Sequence, residues 1–90
     1  MSLKITHVRF SGTSKTHQSI VRYKWQNEQT AATGDNDKPS MIDWINKGGQ
    51  AFVVSGANRA QVLVVNDNPP YLRTKADNTW TDNLLALPTF

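Results

Sequence analysis

Alternation of apolar and polar side chains with a period of two dominates this chain, and one short stretch with a helical period interrupts it. Lys4 to Phe10 predicts a first strand, rich in Ile, Thr, Val and Phe. Its alternation slips: Ile5 belongs to one face, and Val8 and Phe10 to the other. A bulge, or burial on both faces, accounts for such a slip. Ser11–Ser14 is turn text, with Lys15, Thr16 and His17 near the loop. Ser19 to Gln26 predicts a cleaner strand, with Val21, Tyr23 and Trp25 on one face and Arg22, Lys24 and Gln26 opposite. The two strands pair as an antiparallel hairpin.

Asn27 to Lys38 has no apolar periodicity and predicts a loop of roughly a dozen residues, long for a compact domain. A helix follows from Pro39–Ser40, with Ser40 as N-cap and Asp43 three residues on, where a capping box places its acid. Met41, Trp44 and Ile45 share one face with Ile42 beside it, Lys47 suits the C-terminal dipole, and Gly48–Gly49 supplies a left-handed stop. Ala51–Ser55 is nearly continuous in apolar residues and predicts a central strand. Ser55–Asn58 turns the chain, with Gly56 and Asn58 suited to positive φ, and Arg59–Asn66 returns it. Asn66-Asp-Asn-Pro-Pro70 then breaks the pattern.

The tail, Tyr71 to Pro88, compresses several signals. Tyr71–Thr74 suits a strand, Asp77–Asn78 a turn, and Thr79-Trp80-Thr81 a short return strand with its indole facing inward. Asp82 is placed to cap a helical turn carrying Leu84, Leu85 and Leu87, which Pro88 ends. The plain reading of the tail is a hydrophobic clip on the core. The alternative makes Arg73, Asp77, Trp80 and Asp82 a binding cluster. The elements together predict an α+β fold: a small, mostly antiparallel sheet with one short helix packed on a face, in the order ββαββ plus a short C-terminal strand and clip.

Ninety residues match one domain, 1–90, with a modest core in which three tryptophans, three phenylalanines and two tyrosines count heavily. There is no cysteine, which excludes disulfides, thiolate catalysis and cysteine-ligated zinc, and fits a reducing compartment. The first residues lack an apolar h-region and no run approaches the ~20 apolar residues of a membrane span, so a cytoplasmic protein with no membrane contact is expected. The net charge of +3 is unevenly spread. Residues 1–27 carry Lys4, Arg9, Lys15, Arg22, Lys24 and no acid, whereas the rest hold five basic and seven acidic side chains. That asymmetry points towards a polyanion-facing surface.

Three landmarks carry a likeness: Ile5-Thr-His-Val-Arg9, Met41-Ile-Asp-Trp-Ile-Asn-Lys-Gly-Gly-Gln-Ala-Phe-Val53, and the tail's Tyr71-Leu-Arg-Thr…Trp80-Thr-Asp-Asn-Leu…Leu-Pro88. Together they resemble the small, mostly bacterial family catalogued as domain of unknown function 3892. The likeness runs from Ile5 to Pro88, and Tyr71, Arg73, Asp77, Trp80, Asp82 and Asn83 are its signature. The family's turn before the tryptophan often reads Asp-Gly, and here it is Asp77-Asn78, which the same geometry tolerates. The Asn27–Lys38 loop is also longer than the family's pattern implies. The resemblance implies a short bacterial cytoplasmic domain and transfers no activity.

Enzyme signatures are missing: no phosphate-binding Gly-rich loop, no HExxH, no nucleophile elbow. Gly48–Gly49 follows a helix instead of opening one, so it is no phosphate cradle. His7 and His17, with Asp77 or Asp82, supply donors for a metal, but the spacing nominates no complete ligand set. No catalytic residue, metal or cofactor is assigned. The expectation is a non-catalytic binding or interaction module of unknown role. The alternative is nucleic-acid binding by a basic hairpin face of Arg9, Lys15, Arg22 and Lys24, joined by Arg73 where the tail strand lies alongside. A protein partner or homodimer is the remaining class of contact.

Overall fold

The computed structural model describes residues 2–55, 58–76, 79–81 and 83–90. Strand β1 (Ser2–Phe10) pairs antiparallel with β2 (Ile20–Asn27), and the slip in the sequence pattern is a pair of bulges. Ile5 faces Trp25 and His7 faces Lys24, so Thr6 is the extra residue on β1. That insertion resets the alternation, and Leu3, Ile5 and Val8 all reach the core. A second shift, between the Arg9–Arg22 and Phe10–Ile20 pairs, makes Val21 the extra residue on β2. Ile20 and Tyr23 are therefore fully buried and Val21 is exposed, which corrects the expected Val21-Tyr23-Trp25 face.

The expected loop after β2 is largely a strand. Asn27 closes a tight turn: its Oδ1 accepts from Gln29 N (2.9 Å) and Thr30 N (3.3 Å), and its amide donates to the Ala32 carbonyl at 2.7 Å. β3 (Thr33–Asp37) then pairs with β2 along its whole length. Its Thr-Gly-Asp-Asn-Asp text hides the strand because β3 is an edge that contributes no apolar side chain. Gly34 lies under Trp25, where a Cβ would come within 2.6 Å of Cζ2, and Asn36 Oδ1 accepts from the indole Nε1 at 2.9 Å.

Helix α1 (Lys38–Asn46) begins earlier than expected, capped by Asp37 and not Ser40. The Asp37 carboxylate accepts from the Ser40 amide at 2.9 Å, and the Ser40 hydroxyl, with the amide second, holds it below its ordinary pKa. Pro39 fits the first turn, where its missing N–H costs nothing. Gly48 ends the helix at φ 101°, and the Gly49 amide donates to Trp44 O at 3.0 Å.

β4 (Gln50–Ser55), β5 (Asn58–Val65), β6 (Tyr71–Ala76) and β7 (Thr79–Thr81) complete the element order, and a 3₁₀ turn (Asn83–Ala86) follows. The described residues form a seven-stranded sheet in the order β3-β2-β1-β4-β5-β6-β7. It is antiparallel except at its centre, where β1 and β4 run parallel over Ser2–Gln50, Leu3–Ala51 and Lys4–Phe52. The order is thus βββαβββ and a terminal strand, not ββαββ; β4 is central as expected.

Beyond Lys4, β1 parts from β4 and the tail takes its place. Val8 N donates to Pro88 O (3.0 Å), Phe90 N to Val8 O (3.3 Å), and Val8 bridges Thr89 in parallel. Leu84 is fully buried, with Leu85 and Leu87 packed beside it, so the clip exists and leucines make it. Trp80 does not belong to it: the indole is 41% exposed. The core lies between the sheet and α1, where Met41 joins Ile5, Val8, Ile20, Tyr23, Val53, Val62 and Leu72 in one buried cluster. Asp77, Asn78, Asp82 and Gly56 lie outside the described residues. Among the described residues no helix is long and apolar enough to cross a membrane.

Candidate nucleic-acid interface

Register and alternation sort every strand residue onto one of two faces. Leu3, Ala51, Val62 and Thr74 oppose one another in turn on the helix side and are all buried. The positions between them face the other way: Lys4, Phe52, Gln61, Lys75 and Trp80 oppose one another along one row, and Val54 and Arg59 lie in another. This second face has no helix over it. Its residues are exposed or half-buried, and long cations alternate with rings.

Three of those rings carry cations. Phe90, brought onto this face by the Val8–Thr89 bridge, has the Arg9 guanidinium 4.6 Å from its centroid and Lys24 Nζ at 5.9 Å, with the His7 ring edge-on at 6.3 Å. Arg9 Nε also donates to the Phe90 carbonyl at 2.9 Å. Phe52 has Arg59 over it at 3.9 Å. Trp80 has Lys75 Nζ at 5.2 Å and Arg73 at 5.9 Å. Each exposed cation–ring contact contributes about 0.5–1 kcal/mol, enough to bias a side chain and too little to lock it.

By register the acids on this face, among the described residues, are Asp35, Asp37 and Glu28, and all three are engaged, Asp37 as the cap of α1. Arg9 and Arg22 sit directly opposite each other on β1 and β2, a like-charge pair that costs stability. Asp35 relieves it, accepting from Arg22 Nε at 2.6 Å. Glu28 binds the Arg59 guanidinium in a fork, at 2.7 and 2.5 Å, and that contact holds its carboxyl below the usual carboxylate range. Lys4, Arg9, Lys24 and Lys75 form no ion pair among the described residues.

The nominated residues are therefore divided. Arg9 and Lys24 meet on Phe90. Arg9 and Lys15 line one groove of about 430 Å³ with Phe10, Gly12 and Phe90. Arg22 is tied to Asp35. Arg73 does not lie alongside the hairpin, because β4 and β5 separate β6 from β1. Within the tail signature, Arg73 and Trp80 come together, Tyr71 stacks on the buried His17 ring at 6.2 Å, and Asn83 opens the 3₁₀ turn. Asp77 and Asp82 are not described.

Sequence reasoning missed Phe52, Arg59, Lys75 and Phe90. Arg59 and Lys75 had a signal, since each stands beside small or apolar positions of its strand, whereas Phe52 is hidden in a continuous apolar run. Phe90 had none, because only the tertiary bridge to β1 places it. Among the described residues no three of His, Asp and Glu come together as a metal site. His7 Nδ1 instead lies 3.0 Å from Thr6 Oγ1. No curated protein and no solved structure matches the chain. A family model does match, over residues 4–88, and the chain accordingly belongs to the family described as protein of unknown function (DUF3892).

Proposed function

We propose that this chain is a non-catalytic binding module of a bacterial cytoplasm, and that the open face of its sheet takes single-stranded nucleic acid. The observation that carries the reading is Trp80, an exposed indole flanked by Lys75 and Arg73 on the same face as the Arg9–Lys24–Phe90 group. Rings at intervals across a basic sheet suit unpaired bases, whose π-faces stack, while the lysines and arginines meet phosphates. A duplex offers no free base faces, so single strands are the favoured class.

The test is fluorescence anisotropy of labelled ~12-nucleotide single strands and the matching duplexes, at about 50 and 200 mM salt. Single strands are expected to bind more tightly, with affinity falling steeply with salt. Trp80→Ala is expected to cost about 1–3 kcal/mol of binding, the worth of one stacked base. The double variant Arg9→Ala/Lys24→Ala is expected to flatten the salt dependence. No binding at low salt, or binding indifferent to all three substitutions, sinks the reading.

A protein partner is the second reading. It rests on a largely apolar groove of about 340 Å³ between Pro39, Ile42 and Asn46 of α1 and the Pro69–Pro70 corner. A stable dimer in sedimentation, lost on Ile42→Asp, would favour it.

A further inference from the structure

On the open face, Phe52 is covered by a cation that an acid holds in place. Arg59 lies 3.9 Å above it, close enough to occupy the space a stacked base would take. Glu28 fixes Arg59 there from 31 positions away in sequence, across β1 and β4. Glu28 is itself held: its amide donates to Ser2 O (3.0 Å), and its Oε1 accepts from Ser2 Oγ at 2.9 Å. Only 22% of its side chain is exposed. By contrast, Arg9 and Lys24 at Phe90 and Lys75 at Trp80 form no ion pair among the described residues.

A carboxylate and a phosphate present the same geometry to a guanidinium fork. A strand laid across the open face therefore brings the one group able to replace Glu28 as the partner of Arg59. We propose that Phe52 is a third base-stacking position, closed in the free protein by Arg59, and that Glu28 is the residue that keeps it closed. Binding exchanges the Arg59–Glu28 pair for an Arg59–phosphate pair, and the guanidinium swings off the ring. The inference rests on the nucleic-acid reading and assigns that site a centre between Phe90 and Trp80.

The test uses the same single strands with Glu28→Gln, which keeps the shape and the Ser2 contact and removes the charge. Affinity is expected to rise about threefold to tenfold and the salt slope to steepen by about 0.7, one further phosphate on a single strand. Combining it with Phe52→Leu is expected to abolish most of the gain. If wild type binds and Glu28→Gln changes neither affinity nor slope, the ion pair only braces the sheet and the inference falls while the nucleic-acid reading stands. If Glu28→Gln tightens binding and Phe52→Leu leaves the gain intact, Phe52 is no stacking position. If neither protein binds at low salt, both ideas fall. Should Glu28→Gln lower the melting temperature markedly, Arg59→Lys replaces it. That variant keeps the charge but loses the fork and the flat cover over Phe52, and a smaller gain in affinity is expected.

Discussion

The two faces of this sheet are written in the same strands and built from opposite materials. On the helix side stand Leu3, Ile5, Val8, Tyr23, Ala51, Val53, Val62 and Leu72, all buried and packed on Met41 and Leu84. On the other, Phe52, Trp80 and Phe90 are interleaved with Arg9, Lys24, Arg59 and Lys75. Stability is thereby concentrated on one side, and the second is left to carry charge and rings that a core would exclude. The thin core explains the division: a domain of this size cannot give up buried area to a site, so the candidate site lies on the side that never had any.

Substitutions can separate the two roles. The largest effect expected is from Leu84→Ala, which empties a fully buried position under the sheet and costs about 2–5 kcal/mol in chemical denaturation. Against a total of roughly 5–13 kcal/mol for a chain of this length, that is a large share. Tyr23→Phe has the opposite sign. The Tyr23 hydroxyl is buried with no hydrogen-bond partner among the described residues, and burial raises its pKa far above the usual phenol range. Removing the hydroxyl is expected to stabilise the fold by about 1 kcal/mol, seen as a higher denaturation midpoint. A loss instead would mean that the hydroxyl has a partner after all, such as a buried water. The smallest effect is on the open face: Lys24→Ala and Lys75→Ala are each expected to move stability by no more than about 0.5 kcal/mol. A larger loss would show that the open face also carries stability, and the comparison would break.

Much of the covered face was legible in the sequence, and for a physical reason. Burial selects residue type strongly, so the slip between Ile5 and Val8 called for a bulge or two-sided burial, and a bulge at Thr6 is what the strand has. The helix, its Gly48 stop, the central strand and the leucine clip were legible on the same grounds. Where selection by burial weakens, so did legibility. β3 is an edge whose Gly34 and Asn36 serve the Trp25 indole, a role no periodicity encodes. Ser40 looked like the cap because Asp37 belongs at once to a strand and to the helix start. Trp80 was expected inside as the aromatic between Thr79 and Thr81 on a short return strand, whereas its pairing with Lys75 on a three-residue edge strand turns it outward. The basic hairpin was visible as charge, but the partition of that charge was not. Asp35 withdraws Arg22 from it, and Phe90, 81 positions from Arg9, completes it.

The stitch between β1 and the tail has a consequence in time as well as in space. The antiparallel pairs on either side of the sheet close over short connections, whereas the parallel seam and the Val8–Thr89 bridge join distant parts of the chain. Contacts of that kind form late, after the local hairpins have shortened the effective distance. The Phe90 ring, and with it the anchor that orders Arg9 and Lys24, thus exists only once residues 84–90 have docked. A chain emerging during synthesis would fold most of its hairpins while that end of the basic surface was still unassembled. On the proposed reading, contact with a polyanion through Phe90 would be deferred until the fold is closed, by topology alone.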